Sequence, residues 1–200
     1  HQITSSWTDG YGGEYGTILG ITRSNITFLG TGKDTTTILG GFGIRGFENI
    51  TFKRMTVTNI SQFGGSIFMR NSKVELFDVA LKGCDYAGLY TQNSTSETIV
   101  VATRCEFANS KYGAVVHGSL TSATFKSCLF HDNSDYGLYA SESTIHLHGE
   151  STAIYHNGRY GILAFASGKV VIHLPSDHTT VYNNGEDRKA RNGGTITNVQ

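Results

Sequence analysis

Lys111-Tyr112-Gly113-Ala114-Val115 returns as Asp135-Tyr136-Gly137-Leu138-Tyr139 and again as Arg159-Tyr160-Gly161-Ile162-Leu163. Asn109, Asn133 and Asn157 each stand three residues before the Tyr of their unit. A fixed period of this size belongs to a solenoid, in which each unit buries its apolar face only against its neighbours. It constrains shape strongly and chemistry weakly, because a repeated residue needs only to stack.

The apolar segments that open each unit are Ile26-Thr27-Phe28, Ile50-Thr51-Phe52, Val74-Glu75-Leu76, Ile99-Val100-Val101, Ala123-Thr124-Phe125, Ile145-His146-Leu147 and Val170-Val171-Ile172. Most alternate apolar with polar, the period of a strand with one buried face. A second apolar segment follows, as in Met55-Thr56-Val57 or Cys105-Glu106-Phe107, then Asn with Ser or Gly, then Tyr-Gly and a third short strand. No stretch has a helical period, which removes leucine-rich, ankyrin and tetratricopeptide arrays. The 25 glycines and single proline suit strands joined by tight Gly/Asn turns.

Stacking assigns jobs to the columns. Asn59, Asn109, Asn133, Asn157 and Asn183 are expected to fill one column, with Cys84 standing in once, each amide bonding to the next coil. Tyr112, Tyr136 and Tyr160 are expected to stack, with Tyr86 near the same line. Lys111, Asp135 and Arg159 would make an alternating charge ladder that Glu186 extends. Cys105 and Cys128 should share an inward column with Met55 and Val79, and the three cysteines are expected to be free thiols.

In these repeats the chain resembles the right-handed parallel β-helix, or pectin-lyase-like, superfamily, whose units follow V-x-F-x-x-C-x-F-x-x-N-x-x-x-Y-G-I. The resemblance covers residues 24–199. It implies an all-β fold, a β-solenoid of about seven coils of 22–26 residues with three short strands each. Residues 1–23, with Trp7 and many glycines, are expected to form an irregular coil or cap, and 24–200 the β-helix.

Many members of that superfamily act on acidic polysaccharides, and the resemblance implies recognisable catalytic motifs for such an enzyme. The N-T-D, D-D, G-H-G and R-I-K set of polygalacturonases, the D-P-H of alginate epimerases and a clustered Asp set like the calcium site of pectate lyases do not stand in this sequence. The longest irregular insertions, Gln92–Thr98 and Pro175–Thr179, are short for walls of an active cleft. The weak catalytic candidates are His146 and His148, which point outward from one strand, His173 one coil beyond His148, and Lys126 one coil before it. Glu75 and Arg70 are more distant options, and His131, His156 and Asp132 lie near the Asn corner. Outward imidazoles can bind a metal or serve as acid and base, yet no Cys-x-x-Cys or His-Glu-x-x-His pattern accompanies them, so neither a metal site nor a cofactor is expected. A threonine array of the ice-binding kind, Thr27, Thr51 and Thr124, is interrupted by Glu75, Val100 and His146.

Sixteen basic residues balance sixteen acidic ones, against the basic footprint of a nucleic-acid binder. No apolar run is long enough to span a bilayer. Four N-x-Ser/Thr sequons, at Asn25, Asn49, Asn59 and Asn93, suit an extracellular or surface location. The start at His1 reads as a processed one. The apolar strand Gly194–Val199 suggests a homo-oligomer or a continuation into a longer chain. The leading expectation is a non-catalytic β-helix module, structural or recognising glycans or protein surfaces. The alternatives are a polysaccharide lyase, epimerase or hydrolase acting on an acidic polysaccharide, and a stalk or fibre segment of a larger surface or virion protein.

Overall fold

A computed structural model describes residues 1–8, 14–61, 65–173 and 181–199; the Pro175–Thr179 insertion lies outside them. The described residues form strands and no helix, so no helix is long and apolar enough to cross a membrane. Apart from the antiparallel pair Trp7–Thr8 and Glu14–Tyr15, the strands stack in parallel into a β-solenoid of about seven turns. Equivalent positions in successive coils stand 22 residues apart at Ala123 and Ile145 and 26 apart at Val74 and Val100.

Three columns of strands build the rod. The first includes Thr98–Thr103, Thr121–Lys126, Thr144–His148 and Lys169–His173; the second includes Glu106–Ala108, Leu129–His131 and Ala153–Tyr155. The third runs from Ile18–Gly20 through Gly41–Arg45, Ile67–Arg70, Ala87–Thr91, Tyr112–His117 and Tyr136–Ser141 to Tyr160–Phe165 and Glu186–Ala190. Parallel pairing thus already includes Ile18–Gly20, within the segment expected to be an irregular cap.

Alternation sends one side chain inward and the next outward, and the inward ones pile into an apolar column. Ile50, Val74, Val100, Ala123, Ile145 and Val170 stack in the first sheet, all buried. Val100, not Ile99, pairs with Val74. The outward column is therefore Thr51, Glu75, Val101, Thr124, His146, and it is Val101 that interrupts the threonines. Phenylalanines fill the interior face to face: Phe28 on Phe52 at 4.9 Å and Phe107 on Phe130 at 4.7 Å. Cys105 and Cys128 lie in one inward column with Val79 and Met55, and all three cysteines are free and buried.

Corners need a left-handed residue. Asn109, Asp132, His156 and Asn183 take φ of 52–54° at the corner leaving the second sheet, a conformation that Asn and Asp tolerate best among residues with a Cβ. Asn109 and Asn183 are consequently exposed corner residues and do not belong to the amide column. The next residue turns inward: Ser110, Asn133, Asn157 and Asn184. Asn133 Nδ2 donates to Asn157 Oδ1 at 2.9 Å, and Asn157 Nδ2 donates to Asn184 Oδ1 at 2.8 Å. The Ser110 backbone N–H donates to Asn133 Oδ1 at 3.2 Å. Asn59 is buried nearer the start of the rod, where its amide donates to the Gly65 carbonyl, and the Cys84 backbone N–H donates to Ser110 Oγ.

The ladder also explains the Tyr-Gly pair. A Cβ at Gly137 would come within 2.6 Å of Asn157 Nδ2, and one at Gly161 within 2.6 Å of Asn184 Nδ2. The glycine leaves the space that the amide occupies.

Candidate functional site

Strand Thr144–His148 buries Ile145 and Leu147 and leaves His146 and His148 half-exposed on its outer side. Lys126 pairs with His148 from the coil before, and His173 follows Ile172, the partner of Leu147, in the coil after. The structure brings the three imidazoles together. His148 and His173 stack with centroids 3.9 Å apart and planes at 12°, and His146 Nδ1 lies 2.9 Å from His173 Nε2. Burial first, then the neighbouring His173, pushes His146 and His148 below the ordinary histidine value of 6.5, so both are neutral at pH 7. Glu75 shares the outward column of His146 but stands three coils away, and Arg70 ends a strand of the third sheet; neither joins the cluster.

His131 has a different environment, on the second sheet. Its Nδ1 is 2.7 Å from Asp132 and its Nε2 is 3.4 Å from Glu106. The hydrogen bond to Glu106 is the largest of the effects that raise its pKa, and the same contact lowers that of Glu106. Tyr155 lies flat on the His131 ring at 4.9 Å, and His156 approaches Asp132 at 3.7 Å.

The third sheet carries the tyrosines of the repeat together with aromatics that lie outside the repeat pattern. Tyr86, Tyr112, Tyr136 and Tyr160 follow one another at 5.3, 5.2 and 5.4 Å. More aromatics extend the line on the same face. Phe68 reaches Tyr90 at 5.7 Å and Tyr90 reaches Tyr86 at 5.6 Å; at the other end Tyr136 meets Tyr139 at 5.7 Å, which meets Phe165 at 6.4 Å. The stripe runs along the rod axis, crossing successive coils.

Cations from both ends of the third-sheet strands close over it. Arg159 donates from Nη1 to the Tyr136 hydroxyl at 2.9 Å and lies 5.2 Å from the Tyr160 ring centre. Arg191 donates from Nη2 to the Tyr160 hydroxyl at 3.2 Å. Lys111 lies 5.3 Å from the Tyr112 ring centre. Lys111, Asp135 and Arg159 are backbone-bonded neighbours, as the ladder of charges requires, but the two cations turn onto the rings. Glu186 pairs with Tyr160 and so falls in the tyrosine column. Burial, and after it the charge of Asp135, raises the Tyr112 pKa, keeping that phenol protonated. Tyr112, Tyr136, Tyr139, Tyr160, Phe165, Arg159 and Arg191 line a groove of about 320 Å³.

Comparison with known families fits the coil geometry. The family model described as "Right handed beta helix region" matches residues 14–152. The chain belongs to that right-handed β-helix family. No curated protein and no solved structure matches the β-helix chain. Membership accounts for the stacked coils and assigns no role to the residues on their outer faces, since one fold hosts many unrelated functions.

Proposed function

We propose that this β-helix is a non-catalytic module that recognises a carboxylate-bearing glycan along the outer face of its third sheet. The observation that carries this reading is the aromatic groove with Arg159 and Arg191 hydrogen-bonded to its phenols. Tyrosine offers an apolar ring and a polar tip to a sugar's mixed surface. A guanidinium has five donors in a planar fork. Phenols engage part of that fork here, and a carboxylate is the partner with which guanidinium forms its strongest hydrogen bonds. The stripe follows the rod axis, so an extended polymer would meet a tyrosine ring coil after coil.

The alternative, an enzyme acting on an acidic polysaccharide, draws its support from His131. An imidazole held between Glu106 and Asp132, with its pKa raised, is a candidate general acid.

Isothermal titration with oligomers of pectate, alginate, glucuronan and hyaluronan, alongside neutral glucans, tests both. Absorbance of unsaturated ends and reducing-sugar release would be read on the same samples. The expected result is saturable binding of a uronate oligomer, weaker binding of neutral glycans, and no new chain ends. New ends that vanish in His131→Gln would establish the enzyme instead. Absence of binding to every acidic oligomer would remove the glycan reading.

A further inference from the structure

We propose that His146, His148 and His173 form a binding site for a divalent transition metal on the outer face of the first sheet. The inference is independent of the glycan groove, which lies on the third sheet.

Strand geometry brings the ligands together. His146 and His148 are two residues apart, so alternation puts both on one face. The parallel register from Thr144–Lys169 to Leu147–Ile172 sets the third imidazole, His173, beside His148. One nitrogen from each ring lies within 4.8 Å of the others, and His146 Nδ1 lies 2.9 Å from His173 Nε2. Two nitrogens at the usual Zn–N distance on a tetrahedral ion stand about 3.3 Å apart. The 2.9 Å contact and the 4.8 Å limit lie on either side of that spacing.

The backbone beneath is fixed, whereas the rings can adjust. Ile145, Leu147, Val170 and Ile172 are buried and pin both strands to the core. The three imidazoles are half-exposed, so the stacked pair can splay by rotation about its side-chain torsions until the nitrogen lone pairs converge. Fixed strand positions hold the ligands near one another before the ion arrives, which lowers the entropic cost of binding.

The donor set chooses the ion. Three imidazoles without a carboxylate suit Zn²⁺, Cu²⁺ or Ni²⁺. Ca²⁺ and Mg²⁺ require oxygen ligands and would be rejected. Three protein ligands also leave a coordination position open to water or an added ligand. Lys126 is exposed one coil away, beside His148. Its ammonium opposes the incoming charge, but an exposed, flexible chain can swing into solvent, and salt screens what remains.

The test uses the whole chain and the metal alone. Isothermal titration with ZnCl₂ and with NiCl₂ is compared with CaCl₂ and MgCl₂, for the wild type, His148→Gln and Lys126→Ala. The His148→Gln change is at a half-exposed position and should leave the far-ultraviolet circular dichroism unchanged. A single saturable Zn²⁺ site is expected in the wild type. Its loss in His148→Gln should exceed the ~10-fold that even an outer-shell partner of a metal site can cost. Lys126→Ala should bind Zn²⁺ as tightly as the wild type or more so. Zn²⁺ bound equally by wild type and His148→Gln, or no more tightly than Ca²⁺, would overturn the proposal. So would the absence of a saturable site in the wild type.

Discussion

Asn109 and Asn157 occupy the same place relative to their tyrosines, yet they hold different things. Asn157 donates from Nδ2 to the Asn184 amide and to the Phe130 and Tyr155 carbonyls, and accepts from the Asn133 amide. Asn109 is exposed, and what it supplies is a left-handed backbone. Asn157→Ala would orphan several buried groups, each costing about 1–3 kcal/mol, so a loss of ~3 kcal/mol or more is expected in urea unfolding. Asn109→Gly, which keeps the left-handed corner without strain, should shift stability by less than ~1 kcal/mol. Equal losses in the two variants would contradict the assignment of the ladder. The period revealed the ladder at Asn133 and Asn157 and misplaced it at Asn109 and Asn183. Ala108 opposes His131 and Tyr112 opposes Tyr136, so one coil has one residue fewer between corner and tyrosine. Counting back from tyrosine does not detect that deletion, whereas the left-handed corner does.

At the scale of strands, register decides what the outer faces assemble. His146, His148, His173 and Lys126 were legible because alternation along one strand and a step of one coil suffice to place them. The tyrosine stack from Tyr86 to Tyr160 was expected, but its extension was not, since Tyr139, Phe165 and Arg191 belong to different coils and have no shared motif. Only the stacking of the third sheet makes them neighbours. The metal inference has a related origin: helical metal motifs put ligands at fixed sequence spacings, whereas here the third ligand comes from a separate strand through pairing. At the start of the rod a different arrangement holds the sheet. A Cβ on Gly43 would meet the Trp7 ring at 2.3 Å, and one on Gly20 would meet it at 2.8 Å. The indole lies in the space left by the two glycines, with Phe68 6.4 Å away. Gly43→Ala should push Trp7 out, at a cost of about 1–3 kcal/mol for overpacking. Trp7 is the sole tryptophan, so a red-shifted emission maximum in the folded variant reports the displacement directly. An unchanged spectrum would mean that Trp7 does not pack there.

For the molecule as a whole, the β-helix divides structure from function by direction. What points inward is determined by stacking, and that includes the phenylalanine pairs, the buried thiols and the amide ladder. The repeats announced the buried thiols and the ladder at Asn133 and Asn157, because each coil must satisfy the same neighbours. What points outward is free of that constraint, so its side chains are legible in the sequence but their grouping is not. Among the described residues the outer surface holds an imidazole cluster on the first sheet, His131 between two acids on the second, and the aromatic groove on the third. The central claim concerns the last of these, and it is local. Two-dimensional NMR of the tyrosine ring resonances, recorded while a uronate tetrasaccharide is added, tests it most directly. The account predicts saturable shifts confined to Tyr112, Tyr136, Tyr139 and Tyr160, abolished by Arg159→Gln with Arg191→Gln. Shifts centred instead on Tyr155 and Tyr182, the tyrosines of the second sheet, or binding unaffected by loss of both arginines, would contradict it.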